Sequence, residues 1–185
     1  HLFVASTHEY LLFLSNKGMV YQVKVHEIPL LSKNAKGETI KTMIGISPNE
    51  EITTAIAVKN FDPNRNLFFV TRQGVVKRVS LSEFEKNKTS GKRALALDEN
   101  DSVVEVKVTD GSQDVIICSR QGKALRMKEE SVRVMGRAAR GVAGIKLTGN
   151  DEVCGMCVVD ADTLMLLVTE NGYGKRLDCD LFAPH

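Results

Sequence analysis

The sequence is poor in aromatic residues: its 185 residues include no tryptophan, three tyrosines and seven phenylalanines. The phenylalanines lie mainly in apolar runs, as Phe13, Phe68 and Phe69 do, so few rings remain for stacking on unpaired bases. No run reaches the roughly 18 consecutive apolar residues that a membrane-spanning helix needs. The opening residues HLFVASTHEY lack the basic start and the apolar stretch of a secretory signal. These absences count against base stacking on single strands, a helical membrane span and a secretory leader.

Cysteine is scarce, and its spacing matters more than its number. Of the four cysteines, Cys118, Cys154, Cys157 and Cys179, only the middle two have the Cys-x-x-Cys spacing of zinc and redox sites. No second closely spaced pair of Cys or His completes a zinc site. The flanking VCGMCVV is typical of a strand, where residues three apart point to opposite faces. We therefore expect buried, reduced cysteines without metal, as in a reducing cytosol.

Patterns typical of catalysis are also missing. Residues 89–92, TSGK, resemble the end of a phosphate-binding P-loop, but Lys86 stands where that loop needs its first glycine. No histidine has a partner pattern for acid–base chemistry; the histidines are His1, His8, His26 and His185. We therefore predict that this chain contains no catalytic residue.

A pattern of about fifty residues is present four times. Each copy has four or five apolar residues, a polar turn that ends in glycine, and a second, alternating stretch. Glycine supplies the positive φ that tight hairpin turns require, so each copy is predicted to be a β-hairpin. The first strand is apolar on both faces and is expected in the middle of a packed layer. The turn glycines are Gly18, Gly74, Gly122 and Gly172.

Each hairpin is followed by a second glycine, a short strand, an acidic turn and another strand, so each repeat is expected to supply about four strands. Helical periodicity is almost absent. Four-stranded units at this period predict an all-β, propeller-like ring of four-stranded blades, of which this chain would hold about three and a half. We expect one partial domain over residues 1–185, with repeat units at about 9–60, 65–110, 113–160 and 162–185.

The net charge of +2 results from opposite charges sorted into different loops. The acidic turns carry Glu50 and Glu51, then Asp98, Glu99 and Asp101, then Asp151 and Glu152. Segments 32–41, 84–93 and 131–141 are here named the basic band, and each surrounds the second glycine of its repeat. Because equivalent loops of stacked repeats lie on the same side of the assembly, we expect these segments to form one basic surface. The band contains Lys33, Lys36, Lys41, Lys86, Lys88, Lys92, Arg93, Arg133, Arg137 and Arg140.

Four residues after each turn glycine lies a position that is arginine in three repeats, and we expect its side chain to point outward. A basic edge of this kind suits a phosphate backbone, because Lys and Arg neutralise phosphates without reading bases. The neighbouring glycines would let main-chain N–H groups approach the phosphates. A solvated surface, or a propeller-type scaffold that binds proteins, is the alternative. This position and the one before it add Lys77, Arg78, Arg126, Lys175 and Arg176 to the predicted DNA contacts. In the first repeat the arginine position is occupied by Gln22.

The segments GVVKRVSLSEF, MGRAARGVAGIKL and TENGYGKR closely resemble the C-terminal domains of bacterial DNA gyrase A proteins, and topoisomerase IV has a smaller relative. The resemblance covers essentially the whole chain. It implies a β-pinwheel, a propeller-like ring that wraps duplex DNA around its basic rim. The family's glycine- and arginine-rich box on the first blade is expected to precede residue 1. We therefore expect binding of duplex DNA without a complete wrap.

The resemblance also implies the partners of this chain. The expected partners are double-stranded DNA, the gyrase catalytic core and the gyrase B protein, and the expected outcome is ATP-dependent negative supercoiling by the holoenzyme. ATP and magnesium would bind other domains, so no cofactor and no metal is expected here. The fragment is expected to be monomeric, without a membrane partner, in the cytoplasm and associated with the nucleoid.

Overall fold

A computed structural model describes residues 4–86, 88–160 and 162–184, so the predicted domain limits at residues 1 and 185 lie outside the described residues. As predicted, the chain is almost entirely β-structure. Helical structure is limited to the single turn α1 (Ile40–Met43) and four 3₁₀ turns, at Val25–Glu27, Leu81–Phe84, Glu129–Ser131 and Cys179–Leu181. The strands are β1 (Tyr10–Ser15), β2 (Met19–Lys24), β3 (Ile52–Val58), β4 (Asn66–Thr71), β5 (Val75–Ser80), β6 (Lys92–Arg93), β7 (Val103–Thr109), β8 (Asp114–Ser119), β9 (Ala124–Lys128), β10 (Val142–Ala143), β11 (Val153–Val159), β12 (Leu164–Val168) and β13 (Gly174–Asp178).

The strands form four antiparallel sheets, one for each repeat. In spatial order these are β3-β1-β2-β6, β10-β5-β4-β7, β11-β8-β9 and β12-β13. Each sheet contains one of the predicted hairpins, β1–β2, β4–β5, β8–β9 or β12–β13. The turn glycines have φ between +72° and +86°, the left-handed region that favours glycine.

The outermost strand of the first two sheets comes from the following repeat. In the first sheet, Met19 of β2 pairs with Arg93 of β6, which lies beyond the second hairpin. In the second sheet, β10 pairs with β5 in the same way. The second and third repeats each supply four strands, as expected, but one of the four, β6 or β10, joins the sheet of the preceding repeat. The strand pattern was visible in the sequence, but a two-residue strand carries no information about which sheet it joins.

The first repeat also differs from the predicted pattern, because the one-turn helix α1 follows Gly37 where a short strand was expected. Just after α1 the first repeat contacts the second segment of the basic band, because the Gly45 N–H donates to the Thr89 carbonyl at 2.8 Å.

The second sheet lies between the first and the third, and the core is built on both of its faces. Leu67 and Phe69 of β4 pack in the cluster shared with the first sheet, while Phe68 and Val70 pack in the cluster shared with the third. All four side chains are buried, and each such burial stabilises the fold by about 1.5–3 kcal/mol. This double packing explains why the LFFV run is apolar on both faces.

Lys77 of β5, predicted as a DNA contact, lies in the interior with no exposed surface. Its ammonium group donates hydrogen bonds to the carbonyls of Ala94 at 2.6 Å, Arg137 at 2.8 Å and Ala139 at 2.8 Å. Burial lowers the pKa of the Lys77 ammonium to about 8. The residue therefore joins two returning segments from beneath and has no free donor for a phosphate.

Two turn glycines of the same conformation differ in their surroundings, which allows a matched test. Gly74 and Gly122 have φ of +86° and +84°, but a Cβ on Gly74 would meet the Ile145 carbonyl oxygen at 2.6 Å, and one on Gly122 would meet nothing within 4 Å. We expect Gly122→Ala to lower the free energy of unfolding by about 1–2 kcal/mol, the cost of a left-handed alanine. Gly74→Ala should cost about 1–3 kcal/mol more because the backbone must shift. Urea unfolding of both variants measures this; equal losses would contradict it.

Replacing Lys77 by methionine keeps the alkyl stem and removes the ammonium donor. We expect Lys77→Met to lower the free energy of unfolding by about 1–3 kcal/mol, because buried carbonyls lose their hydrogen-bond partner. Lys175 holds the equivalent position in the fourth repeat and is exposed. Lys175→Met is therefore the control, with an expected change within about 0.5 kcal/mol. Thermal and urea unfolding measure both variants, and equal effects would show that the buried contacts contribute nothing.

The same pair of proteins gives a pH dependence with a definite sign. The unfolded chain holds the Lys77 proton up to its ordinary pKa of 10.5, whereas the folded chain releases it at about 8. Between these values the unfolded state binds more protons, so the stability of the wild type relative to Lys77→Met should rise with pH. Urea unfolding at several pH values from about 7 to about 10.5 checks this. A difference that falls with pH would contradict it.

Candidate nucleic-acid interface

Backbone contacts connect the parts of the chain that carry the basic band. Gly45, which lies just beyond the first segment, donates its N–H to the Thr89 carbonyl of the second segment. The second and third segments are linked just beyond β6, where the Ala96 N–H donates to the Ala139 carbonyl at 3.2 Å. Lys77 adds its hydrogen bonds at the same junction. The band therefore continues from one sheet to the next along their outer strands.

The band lies on the outside because β6 and β10 occupy the outer edges of the first two sheets. Gly91 and Gly141, just before these strands, have φ of +76° and +98°. A Cβ on Gly91 would meet the Tyr21 ring at 2.5 Å, and one on Gly141 would meet the Val76 carbonyl oxygen at 2.5 Å. These two glycines therefore permit close packing on the preceding sheet, rather than the predicted approach of the main chain to phosphate.

Most of the predicted DNA contacts are on the surface of the chain. Lys92 and Arg137 are half-buried, and Lys77 is interior. The exposed ones are Lys33, Lys36, Lys41, Lys86, Lys88, Arg93, Arg133, Arg140, Lys175 and Arg176.

Two arginines of the predicted outward column are covered instead. The side chain of Arg78 is 11% exposed and faces Glu129 of the next repeat, with Nη1 and Oε2 3.6 Å apart. The side chain of Arg126 is 15% exposed; its Nε donates to Asp114 at 2.8 Å and its Nη1 to Asp180 of the next repeat at 3.2 Å. Both arginines join neighbouring repeats. The alternation identified the face on which they lie, but not that the next repeat covers that face.

The acidic turns stabilise the ends of the hairpins. A carboxylate oxygen of Asp101 accepts hydrogen bonds from the N–H groups of Gln73 at 3.0 Å and Ser102 at 2.8 Å. Asp151 accepts in the same way from Gln121 at 3.0 Å and Glu152 at 2.9 Å. These carboxylates therefore sit at the hairpin turns, in loops separate from the basic band.

Glu50, from the first acidic turn, is buried and accepts a hydrogen bond from the Tyr21 hydroxyl at 2.8 Å. Burial, together with the neighbouring carboxylate, raises the pKa of the Tyr21 hydroxyl. This pair of residues fixes the same ring on which Gly91 packs, so it supports the second segment of the basic band from below.

The cysteines show no sign of reactivity. All four are free thiols, and burial raises the pKa of Cys118 to about 11, so its thiolate is scarce near neutral pH. The prediction of buried cysteines is confirmed for Cys179, holds only in part for the half-buried Cys118 and Cys157, and is wrong for Cys154, which is exposed. Within residues 4–86, 88–160 and 162–184, no group of His, Cys, Asp and Glu is placed to hold a metal ion. Nor does any helix in that part of the chain have the length and apolarity to cross a membrane.

Comparison with known proteins identifies the same repeats. The family model described as the DNA gyrase C-terminal domain, a beta-propeller, matches residues 9–59, 65–110, 113–156 and 164–184. The DNA gyrase A protein of Helicobacter pylori is 46% identical over 178 residues, 95% of this chain and 22% of that protein. The Salmonella typhimurium protein of the same name is 39% identical over 179 residues, 97% of this chain and 20% of that protein. The chain thus spans about a fifth of the length of these relatives.

Solved structures give the same result. The crystal structure of the C-terminal domain of DNA topoisomerase IV has a TM-score of 0.87 and 30% identity, covering 97% of this chain and 56% of that one. The DNA gyrase A C-terminal domain has a TM-score of 0.82 and 29% identity, covering 98% of this chain and 58% of that one. The repeated hairpins, the propeller-like sheets and these matches lead to one conclusion: the chain belongs to the family of DNA gyrase C-terminal domains.

Proposed function

We propose that this chain binds duplex DNA along the basic band by contacts to phosphates, without reading the bases. The observation that carries the proposal is that the segments of the band present exposed Lys and Arg side chains, and that Thr89 and Ala139 accept hydrogen bonds from residues just beyond the neighbouring segments. Each phosphate contact releases condensed counterions, so many weakly held cations in a row give substantial affinity. The scarcity of exposed aromatic rings supports a duplex over a single strand.

The attachment of the basic segments to the sheets supports the same proposal. The second segment ends in β6 and the third is followed directly by β10, and both strands are hydrogen-bonded to the sheets behind them. Cations on such a support keep their spacing when DNA approaches, so little conformational entropy is lost on binding. Asp101 and Asp151 are held by N–H groups of the hairpin turns.

We further propose that the chain acts as the C-terminal part of a gyrase A protein. There it would wrap DNA beside the catalytic core and the gyrase B protein and support ATP-dependent negative supercoiling. ATP and magnesium would be bound by those other parts, and this chain would perform no chemistry. The chain would act as a monomer, in the cytoplasm at the nucleoid.

The test is the salt dependence of duplex binding. We expect the affinity of the wild type for a duplex to fall steeply between about 50 and 200 mM salt. In the double variant Arg137→Ala, Arg140→Ala, the slope of log K against log salt should be smaller by about 2, because about 0.9 is lost with each phosphate contact. Fluorescence anisotropy of a labelled duplex measures both slopes.

The control is Arg120→Ala, which removes an exposed arginine paired with Glu152 near a hairpin end, outside the band. Its slope should equal that of the wild type. Affinity that does not change with salt, or equal effects of the band and control variants, would contradict phosphate binding and favour a protein-binding scaffold.

A further inference from the structure

Both arginines of the MGRAARG loop are already paired with carboxylates of the second repeat. Arg137 Nε donates to Glu83 Oε2 at 3.2 Å, and Arg140 Nη1 forms an ion pair with Asp98 Oδ1 at 2.7 Å. These pairs are open to solvent: the Arg140 side chain is 74% exposed and that of Glu83 is 48% exposed. They differ in this from the covered arginine pairs that join neighbouring repeats.

The backbone of this loop does not depend on those two acids. The Met135 N–H donates to the Arg78 carbonyl at 2.8 Å, and the Gly144 N–H donates to the Gly74 carbonyl at 2.9 Å. Lys77 holds the loop from beneath through two of its carbonyls. Glu83 and Asp98 therefore contact only the side-chain ends of the two arginines, the atoms that would meet a phosphate.

The second segment of the band is different. Lys86, Lys92 and Arg93 have no ion pair within the part of the chain that the structure describes. Their ammonium and guanidinium groups are immediately available, whereas two of the three arginines of the third segment, Arg137 and Arg140, are occupied. The two segments should therefore contribute unequally to binding, although the sequence gives each a charge of +3.

We propose that Glu83 and Asp98 are internal counter-ions that occupy Arg137 and Arg140 in the free protein and are replaced by DNA phosphates. This inference rests on the proposed function and adds the residues that limit the affinity of the chain for duplex DNA. Exposed pairs of this kind are weak enough to exchange, yet each should reduce the affinity for duplex DNA by about two- to fivefold. The number of phosphates contacted is unchanged, so removing a counter-ion should raise affinity and leave the salt slope as it was.

The experiment compares variants that remove the same charge. Glu83→Gln is matched by Glu85→Gln, and Asp98→Asn by Glu99→Gln; neither control acid has an ion pair in the described residues. Duplex binding is measured by anisotropy over the salt series, and thermal unfolding verifies that each variant folds. We expect Glu83→Gln and Asp98→Asn each to bind about two- to fivefold more tightly than its control, with an unchanged slope.

A double-mutant cycle isolates the pair itself. With Arg137 already replaced by alanine, Glu83→Gln should raise the affinity for duplex DNA no more than Glu85→Gln does, because there is no guanidinium left to release.

Equal gains in affinity for the test and control variants of the single-mutant series would overturn the inference, since net charge alone would then explain them. Weaker binding by Glu83→Gln would also overturn it, by showing that the acid positions the arginine for DNA. If the wild type binds no duplex at low salt, the proposed function itself fails, a result distinct from both.

Discussion

The structure depends on the hydrogen bonds by which each outer strand returns to the preceding sheet. The Gly74 carbonyl accepts from the N–H groups of Gly144 and Ile145, at 2.9 and 3.2 Å, and the Gly18 carbonyl is used in the same way one repeat earlier. A sheet is therefore complete only when the following repeat has folded. Because Lys92 and Arg93 form β6 and the third segment ends just before β10, the same hydrogen bonds fix the cations of these two segments beside the neighbouring sheet. Fold and charge distribution thus have one physical origin.

Burial divides the cations of this chain into two classes. Lys77, Arg78 and Arg126 are covered, and each faces a carbonyl or carboxylate of the following repeat, which are the Arg137 carbonyl, the Glu129 carboxylate and the Asp180 carboxylate. A covered cation without such partners would be strongly destabilising, so these side chains are committed to holding repeats together. The exposed lysines and arginines of the basic band carry no such constraint and can exchange solvent ions for phosphates. A lysine or arginine suits the proposed interface only when it is exposed, and positive charge alone is not enough.

The family assignment and the electrostatics support each other without being the same argument. The matches to gyrase C-terminal domains rest on the repeat pattern and on a fold shared with solved structures. The case for DNA rests on contacts within this chain, above all the hydrogen bond from Ala96 to Ala139 that holds the second and third segments of the basic band close together. Glu83 and Asp98 lie within reach of that band, so the proposed counter-ions stand beside the cations that they would occupy.

The sequence by itself determined the four hairpins, the all-β class and the position of most exposed cations, because turn glycines, alternation and charge are local properties. Only the tertiary structure decided which sheet each short strand joins, and which of the arginines predicted to point outward are covered. It also decided that Lys77, an ordinary member of an alternating strand in the sequence, is interior. These outcomes depend on contacts between distant residues, such as the hydrogen bond from Lys77 to the Arg137 carbonyl, 60 positions away. Alternation specifies a face of a strand, and only the packing of the next repeat determines whether water reaches it.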